Sequence, residues 1–230
     1  GWSDLTIRNL FVIPTVGFLI VFNVFPLLYS LYYSFTDFRA NVRNPVNFIG
    51  LQNYADILAD PIIWRTFSTT LWYVIVSVAG QFVVGFGMAL LLNRPIPGKG
   101  LLTTLLLLPM MLSPVKITLF WKLIYDPSWG ILNYVLGLGP VAWLSDPNLA
   151  LYAVAITDIW MWSPFVMLLS LAGLSAVPKH LYEAASIDRA GKLYTFFRIT
   201  MSLVAPILLI AVIFRTMEAF KTFDVAFVMT

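Results

Sequence analysis

Residues 181–192 read LYEAASIDRAGK, a polar, alanine-rich dozen between an apolar run ending near Leu174 and another starting near Ile199. Charge is scarce enough elsewhere to make this segment conspicuous. Of 230 residues, 60% are hydrophobic and 11% charged, with a mean hydropathy of +0.87. A soluble domain carries about 25% charged residues. Such a chain cannot cover itself with polar groups, so most of it belongs in lipid. Apolar runs that are long and do not alternate in polarity exclude a β-barrel. They predict an all-α membrane protein whose helices satisfy their own backbone hydrogen bonds.

Outward from the opening stretch, hydropathy predicts five spans, near 11–35, 67–92, 101–124, 149–174 and 199–220. Each reaches the roughly 20 residues that cross a bilayer. The first is too long for a signal-peptide core. The connections are 36–66, the Pro/Gly turn "NRPIPGKG" at 93–100, an irregular 125–148 and the polar 175–198. With the N-terminus cytoplasmic, the inner side carries seven cations (Arg8, Arg94, Lys99, Lys179, Arg189, Lys192, Arg198). The outer side then carries five, Arg39, Arg43, Arg65, Lys122 and Lys221, beside six acids. The short turn, with two cations and no acid, favours that orientation and makes 181–192 cytoplasmic.

Several chemistries are excluded. Without cysteine there is no disulfide or thiolate metal site, and His180 is the single histidine. No cluster of acids suggests a metal site or a catalytic constellation. No basic run suggests nucleic acid. No G-x-x-x-x-G-K-[ST] phosphate loop is present.

Within 175–198, Pro178 suits a first helical turn. "PKHLYEAASI" then reads as a short helix with Leu181, Ala184 and Ala185 on one face. Asp188 is placed to cap a following helix, "RAGKLYTFFRI", and Gly191 to allow a bend or a close backbone approach. Chemistry alone leaves two readings open: a small-residue docking surface, or a solvated interfacial loop.

Four ionisable residues fall inside the predicted spans: Lys116, Asp158, Arg215 and Glu218. Each is costly at mid-bilayer, about 2.5–3.5 kcal/mol on insertion scales, so each should face the bundle interior. Two acids and two bases balance. They form either an ion-pair network that locks helices together or a polar solute path. Trp121, Trp160, Trp162, Phe165 and Phe220 add ring faces of the kind that stack on sugars. Trp64, Trp72, Trp129 and Trp143 read as interfacial anchors. Pro109, Pro114, Pro164 and Pro206 permit kinks.

The motif "EAASIDRAG", followed eight residues later by "ITM", resembles the signature loop of permease subunits of ATP-binding-cassette importers. Glu183, Ala184, Ala185, Asp188, Gly191 and Ile199 match that pattern, while its Leu-Pro is replaced by Met201-Ser202, with Pro206 a turn later. "GKGLLTTLLLLP" (98–109), "LSAVPKHLYEAA" (174–185) and "FRTMEAFKTFDVAFVMT" (214–230) are similar to carbohydrate-importer permeases of the maltose-transporter type. The resemblance covers most of the chain from about residue 7.

It implies a type I importer transmembrane domain, 1–230, in a bacterial inner membrane. A start without Met and an end at "VMT" raise the expectation of residues before and a sixth span after. It implies an ATPase-coupling helix formed by Leu181, Glu183, Ala184, Ala185, Asp188 and Gly191. It implies sugar contacts at Asp158, Met161, Trp162 and Phe165, at Arg215 and Ala219, and between Pro114 and Ile117, where Lys116 lies. The implied partners are a second permease, two copies of a cytoplasmic subunit that binds ATP and Mg, an extracytoplasmic solute-binding protein docking on 36–66 and 125–148, and a sugar or polyol. No cofactor is implied in the chain itself. Alternative readings are an ion-coupled secondary transporter with Asp158 or Glu218 as relay, and an importer permease for another solute.

Overall fold

The computed structural model describes residues 3–39, 45–222 and 224–229; part of the 36–66 loop, including Arg43, lies outside these. The chain divides into two units, Gly1–Phe67 and Ser68–Thr230. Among the described residues it is helical, with one isolated antiparallel bridge, Thr36 to Phe48.

In the first unit, α1 (Asp4–Leu19), a π turn (Ile20–Val24) and α2 (Phe25–Ser34) run as one apolar helix, Arg8–Ser34. Pro26 has no N–H for the carbonyl of Phe22, and the widened turn sits over that position. Within its own unit, none of the helix's apolar window is buried. The polar stretch behind it is locally tied. Asp37 accepts from Asn47 N at 2.7 Å and Asn47 Nδ2 at 3.0 Å. Those two bonds hold its carboxyl below the usual carboxylate range. A short helix, α3 (Gln52–Ala59), follows, and Asn53 ties it back through bonds to the Ser34 and Thr36 carbonyls.

The second unit begins within α4 (Pro61–Leu92). It continues through α5 (Lys99–Met111), α6 (Pro114–Ile124), α7 (Ile131–Val135), α8 (Pro147–Ala176), α9 (Lys179–Ile187), α10 (Lys192–Thr195), α11 (Met201–Ala219) and α12 (Asp224–Met229). A π turn, Phe196–Thr200, joins α10 to α11, so Lys192–Ala219 is one apolar helix. Among the described residues, four helices are long and apolar enough to cross a membrane, or five if the bent pair α5–α6 is one span.

The predicted span 101–124 is a bent pair: α5 and α6 meet at 95°. Pro114 disfavours a helical conformation for the residue before it, and Ser113 is extended at φ −62°, ψ 132°. Pro164 and Pro206, by contrast, sit inside unbroken helices.

α8 is the central strut, packed against α5, α6, α11 and α12. One apolar cluster joins Ala89 and Leu92 of α4, Met167 and Leu174 of α8, and Val204 and Leu208 of α11. A second joins Ile117, Ala153, Val154, Met161, Val225 and Met229 at the other end of α8. Trp143 is half-buried against this second cluster and donates from Nε1 to Asn133 Oδ1 at 2.6 Å. Trp129 is 87% exposed.

Candidate functional site

The polar centre of the second unit is built on three helices. Arg215 (α11) donates from Nε to Gln81 Oε1 (α4) at 2.8 Å. Gln81 donates from Nε2 to Asp158 Oδ2 (α8) at 2.7 Å. Arg215 Nη2 lies 3.7 Å from the same carboxylate oxygen. The guanidinium carbon sits 4.4 Å over the Trp162 ring, a cation–π contact. All three polar side chains are buried. An isolated charge here would be untenable, and the arrangement answers that with pairing and hydrogen bonds on both partners.

Beside this network is a cavity of about 130 Å³ lined by Pro114, Asp158, Met161, Trp162, Arg215, Glu218, Lys221, Thr222 and Val225. Five predicted path residues, Asp158, Met161, Trp162, Arg215 and Glu218, therefore share one wall. Lys116 and Phe165 are not on that wall; Lys116 is exposed and Phe165 half-buried. Ala219 lines a larger cavity of about 530 Å³ with Thr69, Thr70, Tyr73 and Phe220. Glu218 pairs with Lys221 at 3.2 Å, and both are well exposed. The cavity wall thus balances two acids with two bases, but the second base is Lys221 rather than Lys116. Asp158 Oδ1, the Tyr73 hydroxyl and Trp121 Nε1 are buried without a hydrogen-bond partner among the described residues.

Gln81 was missed by a search for charges. The available signal was a carboxamide in the middle of an apolar span, where its four hydrogen-bonding positions demand a partner.

At the other end, α9 begins after Pro178, and Pro178 itself is the N-cap residue. Its inward face is Leu181, Tyr182 and Ala185; Ala185 is 7% exposed, and the Tyr182 hydroxyl is 2.9 Å from Thr200 Oγ1. The outward residues are Glu183, Ala184 and Ile187, the last 82% exposed. The two alanines therefore point to different environments. Asp188 ends α9 instead of capping the next helix, and α10 starts from Gly191 with no side-chain cap. Gly191 has a negative φ, and no atom lies within 4 Å of a Cβ built there.

Residues 81–230 match the family of binding-protein-dependent transport system inner membrane components. Among curated relatives, the trehalose/maltose transport system permease protein MalF of Thermococcus litoralis is 36% identical over 233 residues, covering 100% of this chain and 78% of that protein. The sulfoquinovosyl glycerol transport system permease protein SmoG of Agrobacterium fabrum is 37% identical, covering 100% and 76%. The trehalose transport system permease protein SugA of Mycobacterium tuberculosis is 33% identical, covering 95% and 71%. A chain of a bacterial ABC transporter that imports the acidic polysaccharide alginate superposes with a TM-score of 0.78 at 21% identity, covering 94% of this chain and 74% of that one. At that identity the likeness speaks for the fold.

Proposed function

Because the chain belongs to the binding-protein-dependent inner membrane components, we propose that it forms half of the translocation path for a neutral sugar or polyol. It is a multi-pass permease of an ATP-binding-cassette importer, a transport subunit and not an enzyme. In our reading the N-terminus is cytoplasmic, and α9 and α10 meet a separate ATPase that binds ATP and Mg. A second permease, two ATPase copies and an extracytoplasmic binding protein complete the machine.

The observation that carries the solute class is the neutralised wall. Arg215 is already engaged by Gln81, Asp158 and Trp162, so it is not a free cation awaiting an anion. Trp162 and Asp158 line the same cavity, an aromatic ring beside a carboxylate. The cavity is smaller than the roughly 300–1,000 Å³ of a complete ligand site. It is one wall, to be completed by the companion permease. Two of the relatives are named for trehalose or maltose, neutral sugars, and one for sulfoquinovosyl glycerol, a sulfonated sugar, so the names support a carbohydrate while the neutral class rests on the wall.

The test is reconstitution. In liposomes the chain alone gives no flux, and the full assembly accumulates a neutral sugar on ATP, unaffected by uncouplers. A panel of neutral sugars, polyols and uronates presented with the binding protein identifies the solute. ATP-independent flux by the lone chain, or transport restricted to uronates, contradicts the proposal.

A further inference from the structure

Between Asp126 and Asp146 the chain carries no charged residue. This connection holds α7, and α7 is inverted relative to a helix on a watered surface. Its inward residues are Leu132, packed against the second apolar cluster, and Asn133, 5% exposed. Its outward residues are Ile131, Tyr134 and Val135, with Trp129 just before them and Leu136 and Leu138 just after. Trp129 and Tyr134 are each 87% exposed and Val135 70%. Water favours the opposite arrangement, with the apolar side turned in and the polar side out.

The polar groups of the segment are used internally. Asn133 Nδ2 donates to the Pro127 and Val141 carbonyls at 3.3 and 3.2 Å, and its Oδ1 accepts from Trp143 Nε1. The N–H groups of Ser128 and Trp129 bond Asp126 Oδ1, and that of Gly130 bonds the Asp126 carbonyl. A side chain at Gly130 would meet the Asp126 and Ile124 carbonyl oxygens. The N–H groups of Leu136, Gly137 and Leu138 bond the carbonyls of Leu132, Tyr134 and Asn133, with Gly137 at φ +63° closing the helix. Backbone groups satisfied from within, under apolar side chains turned outward, are what hydrocarbon demands of a chain.

Place and composition name the occupant. α7 follows the end of α6 and precedes α8, whose other end leads to α9, so it lies where spanning helices leave the bilayer. Trp and Tyr beside aliphatic side chains are the composition of the lipid–water boundary. Trp129, Ile131, Tyr134 and Leu138 border an open hollow of about 700 Å³ to which no charged side chain contributes. A protein that docks and departs is ordinarily met by a polar rim.

We propose that residues 129–138 are seated in the boundary between lipid headgroups and acyl chains, at the end of α8 opposite α9, with Trp129, Tyr134 and Val135 turned into lipid. This goes beyond the solute reading, and it takes the outward face of α7 out of the surface offered to a solute-binding protein.

The chain holds no cysteine, so one introduced cysteine takes a nitroxide before the chain is assembled with its companion subunits in nanodiscs. Labels at Tyr134→Cys and Val135→Cys are compared with Ser145→Cys, an exposed position beyond the apolar segment. Power saturation by oxygen, which concentrates in lipid, and by a water-soluble nickel chelate reads the surroundings of each label. We expect a shift towards oxygen over nickel at Tyr134→Cys and Val135→Cys relative to Ser145→Cys, unchanged when the binding protein is added. Nickel access equal to that at Ser145→Cys overturns the proposal, because the face is then in water. Exclusion of both reagents overturns it as well, because a companion subunit then covers the face. Exclusion that appears only with the binding protein makes the face a docking surface and has the same consequence. Each position is read separately, so failure of one variant to assemble leaves the other to decide.

Discussion

Arg215 and Asp158 form a buried ion pair at 3.7 Å, and Gln81 is hydrogen-bonded to both partners at once. The carboxamide matches the pair's polarity, its oxygen towards the guanidinium and its nitrogen towards the carboxylate. The three residues come from α4, α8 and α11, so one polar contact fixes three membrane helices against each other. Lipid offers those helices no hydrophobic reason to associate, which raises the weight of such a contact.

Gln81→Leu keeps the apolar volume and removes both hydrogen bonds. Arg215 Nε and Asp158 Oδ2 then each lose a partner in a buried setting. The expected loss is about 2–4 kcal/mol, from the cost of unsatisfied buried groups. It reads out as a lower unfolding midpoint of the assembly in detergent. An unchanged midpoint means that the three helices are held by packing alone.

Arg215→Met strands Asp158, and removing one partner of a buried pair costs about 3–5 kcal/mol. From charge counting, either Glu218 or Asp158 could be the stranded acid. The structure distinguishes them, because Glu218 is exposed and paired with Lys221. Asp158→Asn added to Arg215→Met is therefore expected to restore much of the assembly yield, while Glu218→Gln is not. Rescue by Glu218→Gln alone would falsify the pairing described here.

Gly85 sits where α4 crosses α8. A Cβ there would lie 2.5 Å from the Ser163 carbonyl oxygen and 2.9 Å from the Met167 nitrogen, both backbone. At Gly173 the nearest atoms are side-chain ends, Val204 Cγ1 at 2.9 Å and Ile207 Cδ1 at 3.3 Å. Overpacking typically costs about 1–3 kcal/mol. Gly85→Ala is expected at or above the top of that range, since helix backbones must separate, and Gly173→Ala nearer the bottom. Comparing their unfolding midpoints checks the order.

What the sequence made legible follows from the range of each interaction. Apolar helices are local in origin, so their count and rough limits are visible in hydropathy. The bend at Leu112–Ser113 was not, because Pro109, Pro164 and Pro206 occur in equally apolar runs without breaking them. The residue before Pro114 decides that case: Ser113 is extended, whereas Pro109, Pro164 and Pro206 sit inside continuing helices. Asp158 and Arg215 stood out as charges in apolar spans. Gln81 did not, since it carries no charge, and its role appears only when α4 and α8 are laid together. Which face of α9 turns inward was likewise hidden: Ala184 and Ala185 are chemically identical, and only the packing of Tyr182 and Leu181 separates them.

That separation gives a test of docking against folding on α9. Ala185 is 7% exposed, so Ala185→Leu overfills the chain's own core and should lower the unfolding midpoint by an overpacking cost of about 1–3 kcal/mol. Ile187 is 82% exposed, so Ile187→Asp should change stability by no more than about 0.5 kcal/mol. On the proposed coupling role of α9, its effect belongs at the contact with the ATPase, where a desolvated carboxylate replaces an apolar side chain. Glu183→Ala removes a charged side chain from the same outward face. For both Ile187→Asp and Glu183→Ala, sugar-stimulated ATP hydrolysis by the assembly should fall. The midpoint and the binding protein's affinity for sugar should stay as in wild type. If Ile187→Asp and Glu183→Ala assemble and hydrolyse ATP at the wild-type rate, the outward face of α9 is not the coupling surface.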